Sequence, residues 1–277
     1  MATKLESYRH DGLTFDVDDL GGGGETVVLL HGFPQTKESW HQVAPVLSQA
    51  GYRVLAPDQR GYSPGARPPR RRDYSLDRLV EDVVALVDAA GVERFHVIGH
   101  DWGGAVAWGL GASHPERLAS LTSLSTPHGR AMGRAMVTSS QALKSWYMLA
   151  FQLPFLPEKA VSAGDRVRRS LMDSGLPETQ ADASAALLRG GGARGAINWY
   201  RAMPFSPPAM AARVTVPTMY VYGADDFALG RRAADLTGRY VTGPYRYEVL
   251  EGVGHWIPER GDQVNPLLLE HLAAHPA

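Results

Sequence analysis

VIGHDWGGAVAW, Val97 to Trp108, sets an aspartate between Gly99 and Gly103. An apolar strand pattern, FHVIG, runs into it, and an apolar helical pattern, WGGAVAWGLGA, runs out. A sharp strand-to-helix turn holds its central residue in a strained backbone conformation and needs small neighbours. Gly99 and Gly103 meet that need, and Gly104 lets the helix lie close on the sheet. The turn also places the backbone N–H of Trp102 at a helix N-terminus, where developing negative charge is stabilised. Asp101 therefore reads as a nucleophile. A plain N-cap aspartate would not require glycine on both sides.

A second stretch, GYSPG (Gly61 to Gly65), matches the serine form of this corner letter for letter. Its context is wrong. The residue after the nucleophile must donate its N–H to an oxyanion, and Pro64 has none. ARPPRRR follows at once and cannot open a helix, so Ser63 reads as a loop serine.

Outward from the corner, strand and helix patterns alternate. TVVLLHGF (Thr26 to Phe33) is a continuous apolar run, as in a strand buried on both faces. SWHQVAPVLSQAG follows with helical spacing, then the strand YRVLAPD and the helix LDRLVEDVVALVDAAG. FHVIGHD, the Trp102 helix and LASLTSLS come next; PTMYVYG and YRYEVLEG are later strands separated by RRAADLTGRY, and VNPLLLEHLAA closes the pattern as a helix. Such alternation predicts an α/β fold with a mostly parallel central sheet flanked by helices. Between about Pro127 and Arg213 the alternation stops and Trp, Tyr, Met and Pro accumulate. The expected organisation is a core of 1–128 and 214–277 with a helical cap, 129–213, inserted between two core strands.

Composition narrows the function. The 277 residues, 44% hydrophobic, suffice for one large core with an inserted subdomain. A formal net charge of −1 offers no general pull toward nucleic acid or an anionic membrane. The absence of cysteine excludes disulfides, thiolate zinc sites and a cysteine nucleophile. MATKLESYRHDG has no apolar segment of the signal-peptide kind, and no uncharged apolar run reaches the roughly 20 residues of a membrane helix, so a soluble, cytoplasmic protein is expected. Gly21 to Gly24 and Gly190 to Gly192 lack the Lys-Ser/Thr of a phosphate cradle and read as flexible loops; ARPPRRRD reads as a solvated charge run. His271 and His275, four apart, have no accompanying HExxH glutamate and are not taken as a metal site.

A carboxylate nucleophile suits attack on an sp³ carbon, which leaves an alkyl ester that water must cleave. That second step needs a base and an oxyanion hole. His255 in EGVGHWIPE, directly after a strand, is the candidate base, and Asp226 in YGADDF the candidate orienting acid, with Asp225 as its competitor. Backbone N–H groups of Phe33, in HGFP, and Trp102 are the candidate oxyanion hole. His31 is read as structural, and Pro34 as cis, from turn chemistry. The chain order nucleophile, acid, histidine is that of the α/β-hydrolase fold.

HGFP, GHDWGG, GADDF and GVGHW together resemble the α/β-hydrolase-fold epoxide hydrolases over nearly the whole chain. GHDWGG is shared with haloalkane dehalogenases, and the cap separates the two families. SWYMLAFQLP and NWYRAMP look like the two tyrosine segments of the epoxide hydrolases, which implies that Tyr147 and Tyr200 hold the epoxide oxygen. Trp146 and Trp199 are then pocket wall or core, and Phe33 and Trp102 also face substrate. Dehalogenases often carry an asparagine where Phe33 sits, and fluoroacetate dehalogenases an arginine where Trp102 sits; both differences weaken a dehalogenase reading. The resemblance implies a hydrophobic epoxide and water as substrates, a vicinal diol as product, and no metal or organic cofactor. A non-catalytic ligand-binding protein on the same scaffold is the alternative of another class. A homodimer is an expectation that no sequence feature supports.

Overall fold

The computed structural model describes residues 4–277. Eight strands form one sheet: β1 (Ser7–His10), β2 (Leu13–Asp19), β3 (Thr26–Leu30), β4 (Arg53–Pro57), β5 (Phe95–His100), β6 (Leu118–Leu124), β7 (Thr218–Gly223) and β8 (Tyr245–Leu250). Their order is β1-β2-β4-β3-β5-β6-β7-β8. Pairs from β4 through β8 are parallel, and β2 joins β4 antiparallel. β3, β5 and β6 are buried at every residue, which is why none of them shows the apolar–charged alternation of a strand with one wet face.

The hairpin β1–β2 has no counterpart in the sequence reading, which assigns no strand before Thr26. Its turn is Asp11–Gly12, with φ of 52° and 75°, the two-residue turn whose handedness matches the twist of a hairpin. At the edge of the sheet only Phe15, Val17 and Asp19 of β2 are buried, so the apolar signal is weak.

Helices α1 (Ala44–Gln49), α2 (Leu76–Ala89) and α3 (Trp102–Ser113) follow β3, the β4 loop and β5. α2 buries Leu79, Val80, Val83, Leu86 and Val87, spaced as one helical stripe, in the core on one face of the sheet with Val106 and Leu110 of α3. On the opposite face Leu47 of α1 meets Val264, Leu268 and Leu272 of the last helix.

Between β6 and β7 lie α4 (Gly129–Thr138), α5 (Gln141–Lys144), α6 (Trp146–Ala150), α7 (Leu156–Val161), α8 (Asp165–Asp173), α9 (Glu178–Leu187) and α10 (Ala193–Ala202). The expected loop at Gly190 to Gly192 is a correction. The segment is a helical turn of wide pitch, Leu188–Gly192, that joins α9 to α10, with Gly191 at φ 92° making the kink. Three consecutive glycines here serve a bend, not slack. α11 (Arg231–Leu236) and α12 (Gly261–Ala273) complete the chain. No helix among the described residues is long and apolar enough to cross a membrane.

Candidate active site

Asp101 stands between β5 and α3 with φ 50° and ψ −120°, a backbone state that a non-glycine residue adopts only under constraint. The constraint is close packing. A Cβ on Gly99 would lie 2.1 Å from the carbonyl oxygen of Gly103, and one on Gly103 would lie 2.0 Å from that of Leu30. Asp101 occupies the N-cap position of α3 but makes no capping bond with its side chain. Instead Oδ1 accepts the backbone N–H of Phe33 at 2.7 Å. Phe33 belongs to the turn after β3, and its peptide bond to Pro34 is cis.

Oδ2 of Asp101 faces His255 Nε2 at 3.6 Å. On the other side of the ring, Nδ1 lies 2.9 Å from Asp226 Oδ2. Asp226 is buried and its Oδ1 accepts the N–H groups of Ala228 and Leu229 at 2.8 and 2.9 Å, whereas Asp225 is exposed. The backbone carbonyl of His255 is held by His100 Nε2 and Ser125 Oγ, each at 2.9 Å. Neither residue stands out in the sequence, since both spend their side chains on a backbone atom 130 or more positions away.

The charges couple tightly. Burial acts most strongly on Asp101 and pushes its carboxyl up, but the hydrogen bond and charge of His255, His100 and the Trp102 N–H together hold it below the usual range. Burial likewise lowers His255, yet the charge of Asp226 and hydrogen bonds to Asp101 and Asp226 outweigh it and raise the imidazole to about 10. The site at rest is an imidazolium between two carboxylates. His31 is neutral, lowered to about 4 chiefly by burial; its Nε2 accepts the Gln59 N–H at 3.1 Å, a loop-holding role. Ser63 is buried; its Oγ donates to Asp58 O and accepts the Asp16 N–H of β2, which ties the loop to the sheet.

From the helices between β6 and β7, Tyr147 of α6 and Tyr200 of α10 meet with ring centroids 5.9 Å apart. Trp102 packs edge-on to Tyr200 at 4.9 Å, and Phe33 at 5.5 Å. Burial raises both phenols above their usual range; the Asp101 charge adds to this at each, so both stay protonated donors. Phe151, one turn beyond Tyr147, packs against Phe33, Tyr147 and Tyr200 and closes the aromatic wall. The i, i+4 spacing from Tyr147 was the signal for it.

Two tryptophans separate here. Trp199 is core, with Nε1 donating to Arg60 O at 2.7 Å and its ring behind Trp102. Trp146, expected in the pocket wall or core, is a correction: it is 66% exposed. Adjacent helical residues point about 100° apart, so turning Tyr147 inward turns Trp146 out. Phe227, next to Asp226, lies 5.3 Å from the His255 ring instead. Among the described residues no group of three or more His, Asp or Glu is arranged to hold a metal; the His271 and His275 rings lie 4.7 Å apart and tilted by 55°, without a third ligand.

The alpha/beta hydrolase fold family matches residues 25–262. Epoxide hydrolase A of Mycobacterium tuberculosis is 32% identical, covering 95% of each chain. Epoxide hydrolase 4 of Homo sapiens is 33% identical over 94% of this chain and 76% of its own. The crystal structure of Epoxide Hydrolase A from Mycobacterium thermoresistibile has a TM-score of 0.84 at 30% identity and covers 98% of each chain. The chain belongs to the epoxide hydrolase family of α/β-hydrolase-fold enzymes. As an epoxide hydrolase family member it is a hydrolase, and its Asp101 corner, His255 loop and Asp226 turn sit at the ends of β5, β8 and β7.

The helices inserted between β6 and β7 are tied directly to the turn that carries Asp226. Lys144 Nζ donates to Asp226 O at 2.9 Å, and the Gln141 amide bridges Ala228 O and the Gly230 N–H. Gln152 Nε2 donates to Tyr200 O at 3.1 Å, linking the two tyrosine segments.

Proposed function

We propose that the enzyme converts a hydrophobic epoxide and water to a vicinal diol through an alkyl ester on Asp101. The observation that carries this reading is the Asp101 carboxylate, anchored by the Phe33 N–H, facing His255, with two protonated phenols close enough to feel its charge.

In the first step Asp101 Oδ2 bonds to a ring carbon, the ring C–O bond breaks, and the alkoxide receives a proton with Tyr147 and Tyr200 as donors. Esterification discharges Asp101. One of the two carboxylates that raise His255 is then gone, its pKa falls, the imidazolium gives up its proton to restore the phenol, and the neutral ring, oriented by Asp226, takes a proton from water. That water adds to Cγ of Asp101, and the N–H groups of Phe33 and Trp102 hold the oxyanion. Collapse expels the alkoxide, which takes the proton held by His255 and leaves as the diol; the carboxyl group, now carrying the water oxygen, returns its proton to His255. The 3.6 Å approach of Asp101 and His255 favours a working enzyme over a binding protein on the same scaffold.

Isotope labelling tests the sequence of bonds. A single turnover of styrene oxide in heavy-oxygen water is expected to label Asp101, found by mass spectrometry of its peptide, and to release unlabelled diol. Label in the first diol, with none in Asp101, overturns the covalent route.

A further inference from the structure

Tyr147 and Tyr200 are held in unequal ways. Every residue of α10 except Arg194 is buried, so Tyr200 rides on a helix fixed by packing. None of the five residues of α6 is buried, and Trp146 and Leu149 turn outward, so packing alone does not fix Tyr147. A helix this short does not hold its own shape in water. The chain beyond it is strained as well: Phe155 takes φ 60°, a state that persists in a non-glycine residue only when its surroundings impose it.

One side chain answers both needs. Arg201, directly after Tyr200 and 9% exposed, donates from Nε to Phe151 O at 2.8 Å and from Nη2 to Leu153 O. The same guanidinium grips both carboxylate oxygens of Glu158 in α7, Nη2 to Oε2 at 3.0 Å and Nη1 to Oε1. Burial pushes the Glu158 carboxyl up, but the Arg201 hydrogen bond, with backbone and charge contributions, holds it below its ordinary value. The Phe151 N–H in turn donates to Tyr147 O at 2.8 Å, so the backbone of Phe151 links Tyr147 to Arg201. Gln152 Nε2 reinforces the tie, donating to Tyr200 O at 3.1 Å and to Met148 O at 3.2 Å. Reaching two carbonyls and a carboxylate at once takes a planar fork of donors, which lysine lacks.

We propose that Arg201 is a positioning residue for ring opening: standing beside one phenol, it sets the place of the other by holding the 151–158 segment behind Tyr147. The inference rests on the two-step route proposed above. In that route both phenols converge on one epoxide oxygen during the first step, and a misplacement of about 1 Å can slow a reaction on the order of 100-fold. The second step uses His255, Asp226 and the N–H groups of Phe33 and Trp102, none of which α6 carries. Arg201 therefore bears on ester formation and not on ester hydrolysis.

Rapid-quench kinetics with styrene oxide separates the two steps on the intact chain. Arg201→Lys keeps the charge and loses the fork; it is expected to slow ester formation about tenfold and to leave ester hydrolysis within about twofold of native. Combined with Tyr147→Phe it should add no more than about twofold, because the phenol it places is gone, whereas combined with Tyr200→Phe it should keep its full effect. Glu158→Gln, which loosens the same grip from the other side, should slow the same step severalfold and carries the test in the same two backgrounds if Arg201→Lys does not fold. Unchanged ester formation, equal slowing of both steps, or an undiminished effect without the Tyr147 hydroxyl overturns the assignment alone. A native enzyme that forms no adduct on Asp101 overturns the covalent route and this inference with it.

Discussion

On the proposed route Asp101 does what a serine in the same corner never does: it attacks with its side chain, then offers that side chain's carbonyl carbon to water. The arrangement around it suits this double duty. Oδ1 is fixed by the Phe33 N–H while Oδ2 faces His255, so on that route one oxygen is held where the oxyanion would form and the other is left to react. His255 is raised to about 10 by both carboxylates, and Asp101→Asn removes one of them. The imidazole midpoint followed by NMR is therefore expected to fall below that of the native enzyme; an unchanged midpoint would mean that Asp101 does not govern the base. Tyr147→Phe and Tyr200→Phe each delete one charge-assisted donor, and each should slow ring opening roughly 10- to 100-fold in rapid-quench kinetics. The sequence showed Asp101, His255 and the Phe33 turn because each sits at a strand end in a distinctive motif. It did not decide between Asp225 and Asp226, where the choice lies in which carboxyl accepts the N–H groups of residues 228 and 229. It misplaced Trp146 because a WY pair carries no sign of which ring faces inward.

The elements answer to packing more than to propensity. α3 sits so close to β3 that Gly103→Ala would press a methyl onto Leu30 O, and a cost of about 3 kcal/mol or more is expected from urea denaturation. Gly133, exposed in the interior of α4 with open space around it, makes the opposite case: Gly133→Ala should stabilise the enzyme by about 0.5–1 kcal/mol. Equal effects at the two positions would contradict the close approach described for the corner. The alternation of β3 through α3 was legible because buried parallel strands and amphipathic helices have different apolar periods. The β1–β2 hairpin was not, since an edge strand with few buried residues offers little pattern beyond its Asp-Gly turn. The glycine run at 190–192 misled for a related reason: composition alone does not separate a slack loop from a kinked helical joint that a single positive-φ residue creates.

Across the whole molecule, buried histidines set how stability varies with pH. His31, His100 and His271 are lowered to about 4, chiefly by burial, against an unfolded value near 6.5. Between these values the unfolded chain binds the extra protons, so stability falls as pH drops from 6.5 to 4. Asp58, raised to about 6 mainly by burial, opposes them with one proton. His255 has the reverse sign: raised to about 10, it contributes fully below 6.5 and loses that contribution as pH rises through 10. Urea midpoints are thus expected to peak near neutrality, with the acid limb steeper than the alkaline one; a maximum displaced to pH 9 or above would refute these assignments. The outward turn of Trp146, one residue from the inward Tyr147, also has a practical sequel. In a chain without cysteine, Trp146→Cys would create a unique attachment point for a fluorophore on the helix that carries Tyr147. Any motion of this segment could then be watched in real time from a position that is two-thirds exposed.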